Sequence, residues 1–389
     1  MLITNPTYNL KDISIIPARM SYISHRSNCD TFINGNLPVF TAPMSAVVNI
    51  ENASVWEYND IIPIIPRNIP YNVRMNEAIN NHRWVAMSLT EFRDTFVNLA
   101  TRISTLDQPV HVLIDVANGH MCQIYTLCRE SKIKYGVDKI KIMVGNIANP
   151  ETYEEICKWS KEFNGKIVDY VRVGIGGGSC CSTTSSTNIH MGLASLINEC
   201  YLNKVGSEEE LAPAIIADGG IRTYNDAITA LALGADYVMI GTTFASLFES
   251  AAEFQNIKFS KDITDILYRN DEKFHDIKVN VIKSYQINGP IYKRVYGMST
   301  YVAQKEIDSN AKTRLTEGLG RDVKCFKTVK QWATEFAGYL RSCMSYCNCT
   351  TLNDFIGKVE CRVMSPNTAC GFNSSMDNFV GNELYVIKE

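Results

Sequence analysis

The feature of this sequence that most restricts its fold is a short apolar run, rich in β-forming residues, that occurs eight times. Turn or helix-cap residues bound each run, as they bound buried strands. The eight runs are Leu37–Thr41, Ile61–Ile65, Trp84–Ser88, Val110–Val116, Ile140–Val144, Val168–Val173, Ala214–Ala217 and Tyr237–Ile240. Helical patterns separate most of them, for example Glu151–Phe163, Asn188–Leu202 and Tyr224–Leu233. An eightfold alternation of strand and helix predicts an α/β fold, a parallel (β/α)8 TIM barrel, with a doubly wound open sheet as the alternative.

The stretch V-R-V-G-I-G-G-G-S-C-C-S-T-T, from Val171 to Thr184, follows the sixth of these runs. A dinucleotide-binding fingerprint in an open sheet would follow the first strand instead, so the position of this loop favours the barrel. Its glycines allow positive φ and the close approach of a bound group, and Ser179 offers a hydroxyl suited to phosphate. Cys180 and Cys181 come next, and an exposed thiol beside an anion site is a candidate nucleophile. A glycine turn with two inert thiols is the alternative interpretation.

Polar residues and glycines follow five successive strands at the point where each strand ends. They are Asp115, Gly145-Asn146, the glycine–cysteine loop, Asp218-Gly219-Gly220 and Gly241-Thr242. Any one of them alone reads as a strand stop. In a barrel of this class the chemistry lies on the loops after the strands, and the loops after strands seven and eight commonly hold a phosphate. The sequence therefore predicts an active site at this end of the barrel, with the phosphate on A-D-G-G and G-T-T.

The length of 389 residues would allow two domains, yet the strands indicate one barrel over residues 1–349. A long polar segment at about 250–316 is expected to leave the barrel as a flap, since long loops in compact domains tend to be lids or binding loops. Phe326–Cys347 is predicted to be the eighth barrel helix, and residues 350–389 form a tail without a clear period. No inserted domain is expected between the second and third strands.

Composition excludes several classes of protein. A net charge of −3 gives no reason to expect a nucleic-acid partner, and no apolar run is long enough for a membrane span. The N-terminus lacks the pattern of a signal peptide, so we expect a cytosolic protein. Five cysteines bunch near the C-terminus without C-x-x-C spacing or an accompanying histidine, and they are expected to be structural thiols, not a zinc site. They are Cys343, Cys347, Cys349, Cys361 and Cys370.

Four motifs together resemble one known family. G-I-G-G-G-S-C-C-S-T, A-D-G-G-I, L-G-A-D-Y-V-M-I-G and Y-G-M-S occur in the order and spacing of the IMP dehydrogenase / GMP reductase family. The resemblance runs from about Tyr8 to Cys349. It implies a (β/α)8 barrel and a cysteine that attacks C2 of a purine.

The resemblance also implies a role for individual residues. It assigns catalysis to Cys181, Thr183 and Glu317. It assigns the nucleotide substrate to Ser179, Asp218, Gly219, Gly220, Gly241, Thr242, Met298, Ser299, Arg314 and Gly318. It assigns the nicotinamide cofactor to Asp115, Asn118, Gly119 and Gly174. Arg67 is a further candidate, for a cofactor phosphate, with a surface arginine as the plainer interpretation. Backbone carbonyls of Gly174, Gly176 and Cys181 correspond to a site for a monovalent cation such as K+, and relatives are homotetramers.

Within the family the resemblance favours the reductase. Only 18 residues separate Met298 from Glu317, without the adjacent Arg-Tyr pair that the dehydrogenases use to activate water, and D-V-A-N-G-H and Y-G-M-S are the reductases' versions of their motifs. The implied activity is the NADPH-dependent conversion of GMP to IMP and ammonia. The alternatives are an IMP dehydrogenase, which converts IMP to XMP with NAD, and a barrel that binds purine nucleotides without turnover. Ser45 after Met44, and I-P-R-N-I-P around Arg67, depart from the family pattern and leave NADH or an altered purine open.

Overall fold

The computed structural model of the protein describes residues 5–98, 102–177, 186–269, 272–287, 289–297, 300, 305, 307 and 320–371. Its strands are β1 (Ile13–Ile15), β2 (Val39–Thr41), β3 (Ile64–Ile65), β4 (Trp84–Met87), β5 (Val110–Asp115), β6 (Ile140–Ile147), β7 (Tyr170–Val173), β8 (Ala214–Asp218), β9 (Tyr237–Ile240), β10 (Glu253–Phe254), β11 (Ile291–Tyr296), β12 (Gly320–Cys325) and β13 (Cys361–Val363). Its α-helices are α1 (Ala53–Tyr58), α2 (Tyr71–Asn80), α3 (Leu89–Phe92), α4 (Cys122–Tyr135), α5 (Pro150–Phe163), α6 (Leu193–Val205), α7 (Tyr224–Ala232), α8 (Thr242–Ala245), α9 (Lys261–Leu267), α10 (Glu272–Gln286), α11 (Val329–Tyr346) and α12 (Leu352–Phe355). Short 3-10 helices cover Leu10–Asp12, Arg26–Asn28 and Arg102–Thr105, and a π-helical segment covers Arg93–Asn98.

Strands β2 to β9 form one parallel sheet in the order β2-β9-β8-β7-β6-β5-β4-β3. Phe40 of β2 makes a parallel bridge with Ile62, just before β3, and this bridge joins the two edges of the sheet. The strands are buried almost without interruption because helices cover the outside and side chains fill the inside. The predicted (β/α)8 barrel is therefore confirmed, and the alternative of a doubly wound open sheet is excluded. Only α2 lies between β3 and β4, so no domain is inserted there.

Four aromatic side chains close the barrel interior toward the amino ends of its strands. Phe40, Trp84, Tyr170 and Tyr237 contact one another edge to face, with ring centroids 5.2–6.0 Å apart. Edge-to-face pairs of this kind are favoured by the ring quadrupoles. This end of the barrel is thus a packed plug, which leaves the opposite end for a ligand.

His111 of β5 lies beside this plug and gives the protein an acid-sensitive core. Its ring is 4.9 Å from that of Trp84, and its buried Nδ1 has no hydrogen-bond partner within the described ranges. Burial lowers the pKa of His111 from 6.5 to about 4. At a pH between about 4 and 6.5, His111 is protonated in the unfolded chain but neutral in the folded chain. The free energy of unfolding therefore falls as the pH is lowered through this range. The drop from this residue is up to about 3 kcal/mol.

We expect His111→Asn to flatten this acid-induced loss, measured by urea unfolding at pH 7 and at pH 4.5. His25 is exposed, so His25→Asn should keep the wild-type pH dependence. An unfolding free energy of the wild type that does not change between the two pH values would contradict the assignment.

Local signals set the helix ends, and one prediction was wrong for a local reason. Thr223 caps α7 through a hydrogen bond from the Asp226 amide, and Gly234 follows with φ +114°, so a capping residue and a glycine bound this helix. Helix α6 begins at Leu193, five residues after the predicted start at Asn188. Asn188 has φ +57°, outside the helical region, and the amide of Ala194 in the first turn bonds to the carbonyl of Tyr8 instead.

A second, smaller sheet follows the barrel strands, with two of its strands in the segment at about 250–316 that is predicted to be a flap and the third just after it. Strands β10, β11 and β12 pair antiparallel in that order, and α9 and α10 lie between β10 and β11 in the chain. Lys293 of β11 is fully buried and its Nζ donates to the carbonyls of Leu247, Phe248 and Ser250 at 2.7–3.1 Å. The lysine therefore ties this sheet to the chain that leaves the barrel after β9.

The two ends of the described chain meet on the outside of the barrel. Strand β1 pairs antiparallel with β13, with Ile15 opposite Cys361. Sequence periodicity predicts neither strand, because three residues are too few to show a period. Within the described part of the chain, no helix combines the length and apolar character needed to cross a lipid bilayer.

Candidate active site

The carboxyl ends of the barrel strands open into a cavity of about 1620 Å3. This is the end of the barrel at which the sequence predicts the site. Nine of the predicted site residues line the cavity. They are Arg67, Asp115, Gly174, Gly176, Asp218, Gly219, Gly220, Gly241 and Thr242.

Arg172 of β7 occupies the centre of the cavity floor and joins two of the predicted carboxylates. Its Nη2 donates to Oδ1 of Asp115 at 2.8 Å and to the carbonyl of Gly145 at 3.1 Å. Its Nη1 is 3.6 Å from Oδ2 of Asp218. The arginine side chain is only 4% exposed, so these charges interact in a partly desolvated setting where ion pairs are strong.

Asp218, at the end of β8, is held on its other side by Asn146. The side-chain Nδ2 of Asn146 donates to Oδ2 of Asp218 at 2.7 Å and to the carbonyl of Gly174 at 2.8 Å. Burial raises the pKa of Asp218, while the charge of Arg172 and the hydrogen bond from Asn146 oppose that rise. The carboxylate is thereby kept in one orientation with acceptor capacity directed to the cavity, which suits vicinal hydroxyl groups.

Gly174 is required because the main chains of two neighbouring loops approach each other there. It has φ +123°, and a Cβ atom at this position would lie 2.2 Å from the carbonyl oxygen of Asp218.

We expect Gly174→Ala to lower the free energy of unfolding by about 2–4 kcal/mol, measured by denaturant unfolding. Gly338 is the matched control: it lies within α11 with open space around it, so Gly338→Ala should stabilise the protein by up to about 1 kcal/mol.

A group of glycines forms the wall next to Asp218. Gly219 and Gly220 have φ +89° and +78°, and a Cβ on Gly177 would lie 3.1 Å from the main chain of Gly219. Gly241, after β9, packs against Met44, whose Sδ would be 2.9 Å from an added Cβ. The wall therefore presents main-chain groups to the cavity, the arrangement by which proteins approach a phosphate closely.

Asp115, the last residue of β5, lines the cavity, but two predicted cofactor residues in the loop that follows do not. Gly119 is buried against the end of β6, where its main-chain amide donates to the carbonyl of Asn146 at 2.9 Å. Asn118 is exposed and its Oδ1 accepts from the amide of His120 at 3.1 Å. The structure thus gives both residues a place in holding the loop.

Arg67 enters the cavity from the loop after β3. Its Nε is buried and has no hydrogen-bond partner among the residues that the structure describes, and the same holds for Oδ1 of Asn68. Arg74 fixes this loop from behind, because its Nε donates to the carbonyl of Ile69 at 2.8 Å and its Nη2 to Glu91 at 2.6 Å. A fixed loop with unsatisfied polar atoms at a cavity is suited to bind a polar ligand group.

Eight of the predicted site residues lie outside the described residues: Ser179, Cys181, Thr183, Met298, Ser299, Arg314, Glu317 and Gly318. The described residues contain no group of three or more His, Cys, Asp or Glu side chains arranged to hold a metal ion. Asn146 was selected from the sequence as a polar residue at a strand end, without a specific role, whereas Arg172 is a site residue that the sequence motifs did not indicate. The signal for Arg172 was a charge inside an otherwise apolar strand, where an unpaired charge is costly.

This sequence is similar to those of several known proteins. The model of the IMP dehydrogenase / GMP reductase domain matches residues 7–263. A GMP reductase of Staphylococcus epidermidis is 27% identical over 342 residues, which cover 83% of this chain and 94% of the relative. One from Staphylococcus saprophyticus is 30% identical over 258 residues, covering 63% and 73%. One from Mycoplasma mycoides is 24% identical over 348 residues, covering 87% and 92%.

Proposed function

Because the chain belongs to the IMP dehydrogenase / GMP reductase family, we propose that it is an oxidoreductase that converts GMP to IMP and ammonia with NADPH. The observation that carries this proposal is the set of carboxylates fixed by Arg172 beside a wall of glycines in a large cavity. The names of the similar proteins, all GMP reductases, favour this reaction over the dehydrogenase.

In this proposal the nucleotide binds with its phosphate against Gly219, Gly220, Gly241 and Thr242, together with Ser179. The ribose hydroxyls donate to Asp218, since an ionised carboxylate only accepts hydrogen bonds. The base then extends toward Met298, Ser299, Arg314 and Gly318. In this arrangement main-chain amides recognise the phosphate and a carboxylate recognises the ribose hydroxyls. Together they would select a ribonucleoside monophosphate.

The proposed chemistry starts at Cys181. Its thiolate attacks C2 of the purine, and Thr183 and Glu317 transfer protons so that the 2-amino group leaves as ammonia. A cysteine–purine adduct results, and a reduced nicotinamide, when bound, supplies the hydride that C2 needs. The Cys181 thiolate then leaves as IMP forms. Positioned acid–base groups of this kind contribute about 10²–10⁴-fold to rate.

The described residues fit a nicotinamide dinucleotide at the cavity. The cavity volume of about 1620 Å3 exceeds the usual range for a single small ligand. Arg67, whose buried Nε has no hydrogen-bond partner among the described residues, would hold a phosphate of the cofactor, and Asp115 would hold the nicotinamide end. A 2′-phosphate on Arg67 would select NADPH over NADH. Asn118 and Gly119 would act by holding the Asp115 loop.

A monovalent cation such as K+ would bind to the main-chain carbonyls of Gly174, Gly176 and Cys181. The carbonyl of Gly174 also accepts a hydrogen bond from the side chain of Asn146, which occupies part of its acceptor capacity. An increase in turnover when K+ is added to a sodium-buffered assay would support this site.

The test of the function is a pair of assays followed at the absorbance of the reduced nicotinamide. GMP with NADPH should lose this absorbance and release ammonia, whereas IMP with NAD should not gain it. The reverse result would identify a dehydrogenase. Nucleotide binding without any change in absorbance would identify a non-catalytic binding barrel. Light scattering, which measures molar mass, would test the further expectation that the protein is a homotetramer.

A further inference from the structure

Four cysteines come together where the end of α11 meets strand β13. Cys343 and Cys347 lie one turn apart, a spacing that puts both side chains on the same face of the helix. Both line the cavity. Cys361 of β13 lies near them, because Cys347 contributes to raising the pKa of the Cys361 thiol after burial, the main cause. The thiol of Cys349 is instead hydrogen-bonded to the carbonyls of Cys347 and Asp354, at 3.4 and 3.3 Å.

The neighbouring thiols shift each other's pKa. The interaction with the Cys343 thiol lowers the pKa of Cys347. The interaction with Cys347, together with burial, raises the pKa of Cys343. Because the thiolate is the reactive form, we expect Cys347 to be the nucleophile of this pair, whose two members lie one turn apart on the cavity wall.

We propose that Cys343 and Cys347 form an oxidation site on the cavity wall, with a hydroperoxide as the oxidant. The Cys347 thiolate takes one oxygen atom from the peroxide and becomes a sulfenic acid, and the peroxide leaves as an alcohol or water. Cys343 then attacks the sulfenic sulfur, a disulfide forms, and water leaves. Two thiols have lost two electrons and two protons, and the peroxide has been reduced.

The disulfide has a structural consequence at the last turn of α11. A disulfide needs Cβ atoms about 3.5–4.5 Å apart, whereas residues four apart on a helix have Cβ atoms about 5–6 Å apart. The bond from the Cys347 amide to the Cys343 carbonyl, 3.0 Å long, must therefore give way. The amide of Ala18 bonds to the carbonyl of Tyr346 in the same turn, so this hydrogen bond to the N-terminal segment is expected to weaken as well.

The test uses the whole protein treated with hydrogen peroxide and then digested with trypsin under non-reducing conditions. Cleavage after Arg341 and Lys358 gives a peptide that contains Cys343, Cys347 and Cys349, while Cys361 falls in the next peptide. We expect a disulfide within the first peptide that fragmentation assigns to Cys343 and Cys347. A link to Cys349, a cross-link to the Cys361 peptide, or no disulfide would overturn the assignment.

A buried cysteine pair in the same chain provides the control. Cys157 and Cys200 are neighbours between α5 and α6, are 5% and 0% exposed, and do not line the cavity. We expect Cys347 to be modified at least about tenfold faster than either of them. Equal rates would contradict the proposal, since they would show that peroxide acts without regard to this site.

Hydrogen exchange measures the structural consequence. Peroxide should increase exchange at Ala18 in the wild type, and Cys347→Ser and Cys343→Ser should each remove the increase. Cys343→Ser should still accumulate sulfenic acid at Cys347, because the resolving thiol is missing, whereas Cys347→Ser should not. An increase that persists in both variants would overturn the coupling. These outcomes do not depend on the proposed enzymatic activity.

Discussion

Replacing Cys181 with alanine is expected to lower the turnover of GMP by at least about 10⁴-fold, because the proposed reaction passes through a bond from this sulfur to C2. The nucleotide should still bind with nearly wild-type affinity, since the phosphate and ribose contacts proposed for Gly220 and Asp218 do not involve the thiol. Turnover is measured by the loss of reduced-nicotinamide absorbance, and affinity by calorimetry with GMP. The separation of the two effects distinguishes a nucleophile from a binding residue.

Cys180→Ala is the matched control, because it removes a thiol from the adjacent position of the same loop. Most of the turnover should remain in this variant. If the control abolished turnover and Cys181→Ala did not, the position of the nucleophile would be wrong by one residue. Rapid-quench analysis followed by mass spectrometry of the trapped protein would locate the purine adduct independently.

The barrel could be predicted from the sequence because its strands are buried on both faces. A strand with helices outside and side chains inside reads as a continuous apolar run, and Tyr237–Ile240 was predicted with the bounds that the structure gives it. The second sheet could not be predicted in this way. In β11 the inward position Lys293 is charged, so the alternation of apolar and polar residues that marks a half-buried strand is broken.

The candidate site could be predicted only in part, because its central contacts join residues far apart in the chain. Asp115 and Asp218 were selected as polar residues at strand ends. Arg172 lies inside an apolar strand, and nothing in the sequence indicates that its guanidinium reaches both carboxylates until strands β5 to β8 are placed in one sheet. The pattern of apolar residues predicts where the strands lie. The register between the strands decides which side chains meet, and the pattern does not give it.

Replacing Arg172 with methionine is expected to have the second large effect, a fall of about 10²–10³-fold in turnover with a weaker affinity for GMP. The change leaves Asp115 and Asp218 close together without the positive charge between them. Because the charge of Arg172 opposes the rise in the pKa of Asp218, its removal should raise that pKa further, and the protonated carboxyl would no longer accept two hydrogen bonds from a ribose. The acid limb of the pH dependence of GMP affinity should therefore move to higher pH. Arg172→Lys should restore the charge but only part of the activity, since one ammonium does not replace the fork that spans both carboxylates.

Arg83→Met separates this effect from a general loss of stability. Arg83 is also mostly buried and also joins two carboxylates, Glu57 and Glu77, at 2.7 Å each, but it precedes Trp84 at the opposite end of the barrel. Breaking a largely buried ion pair costs about 3–5 kcal/mol when one partner is removed, so both variants should unfold at lower denaturant concentration. Only Arg172→Met should change the affinity and turnover of the folded enzyme. Equal losses of activity in the two variants, measured where both remain folded, would mean that Arg172 stabilises the barrel and does not orient its carboxylates.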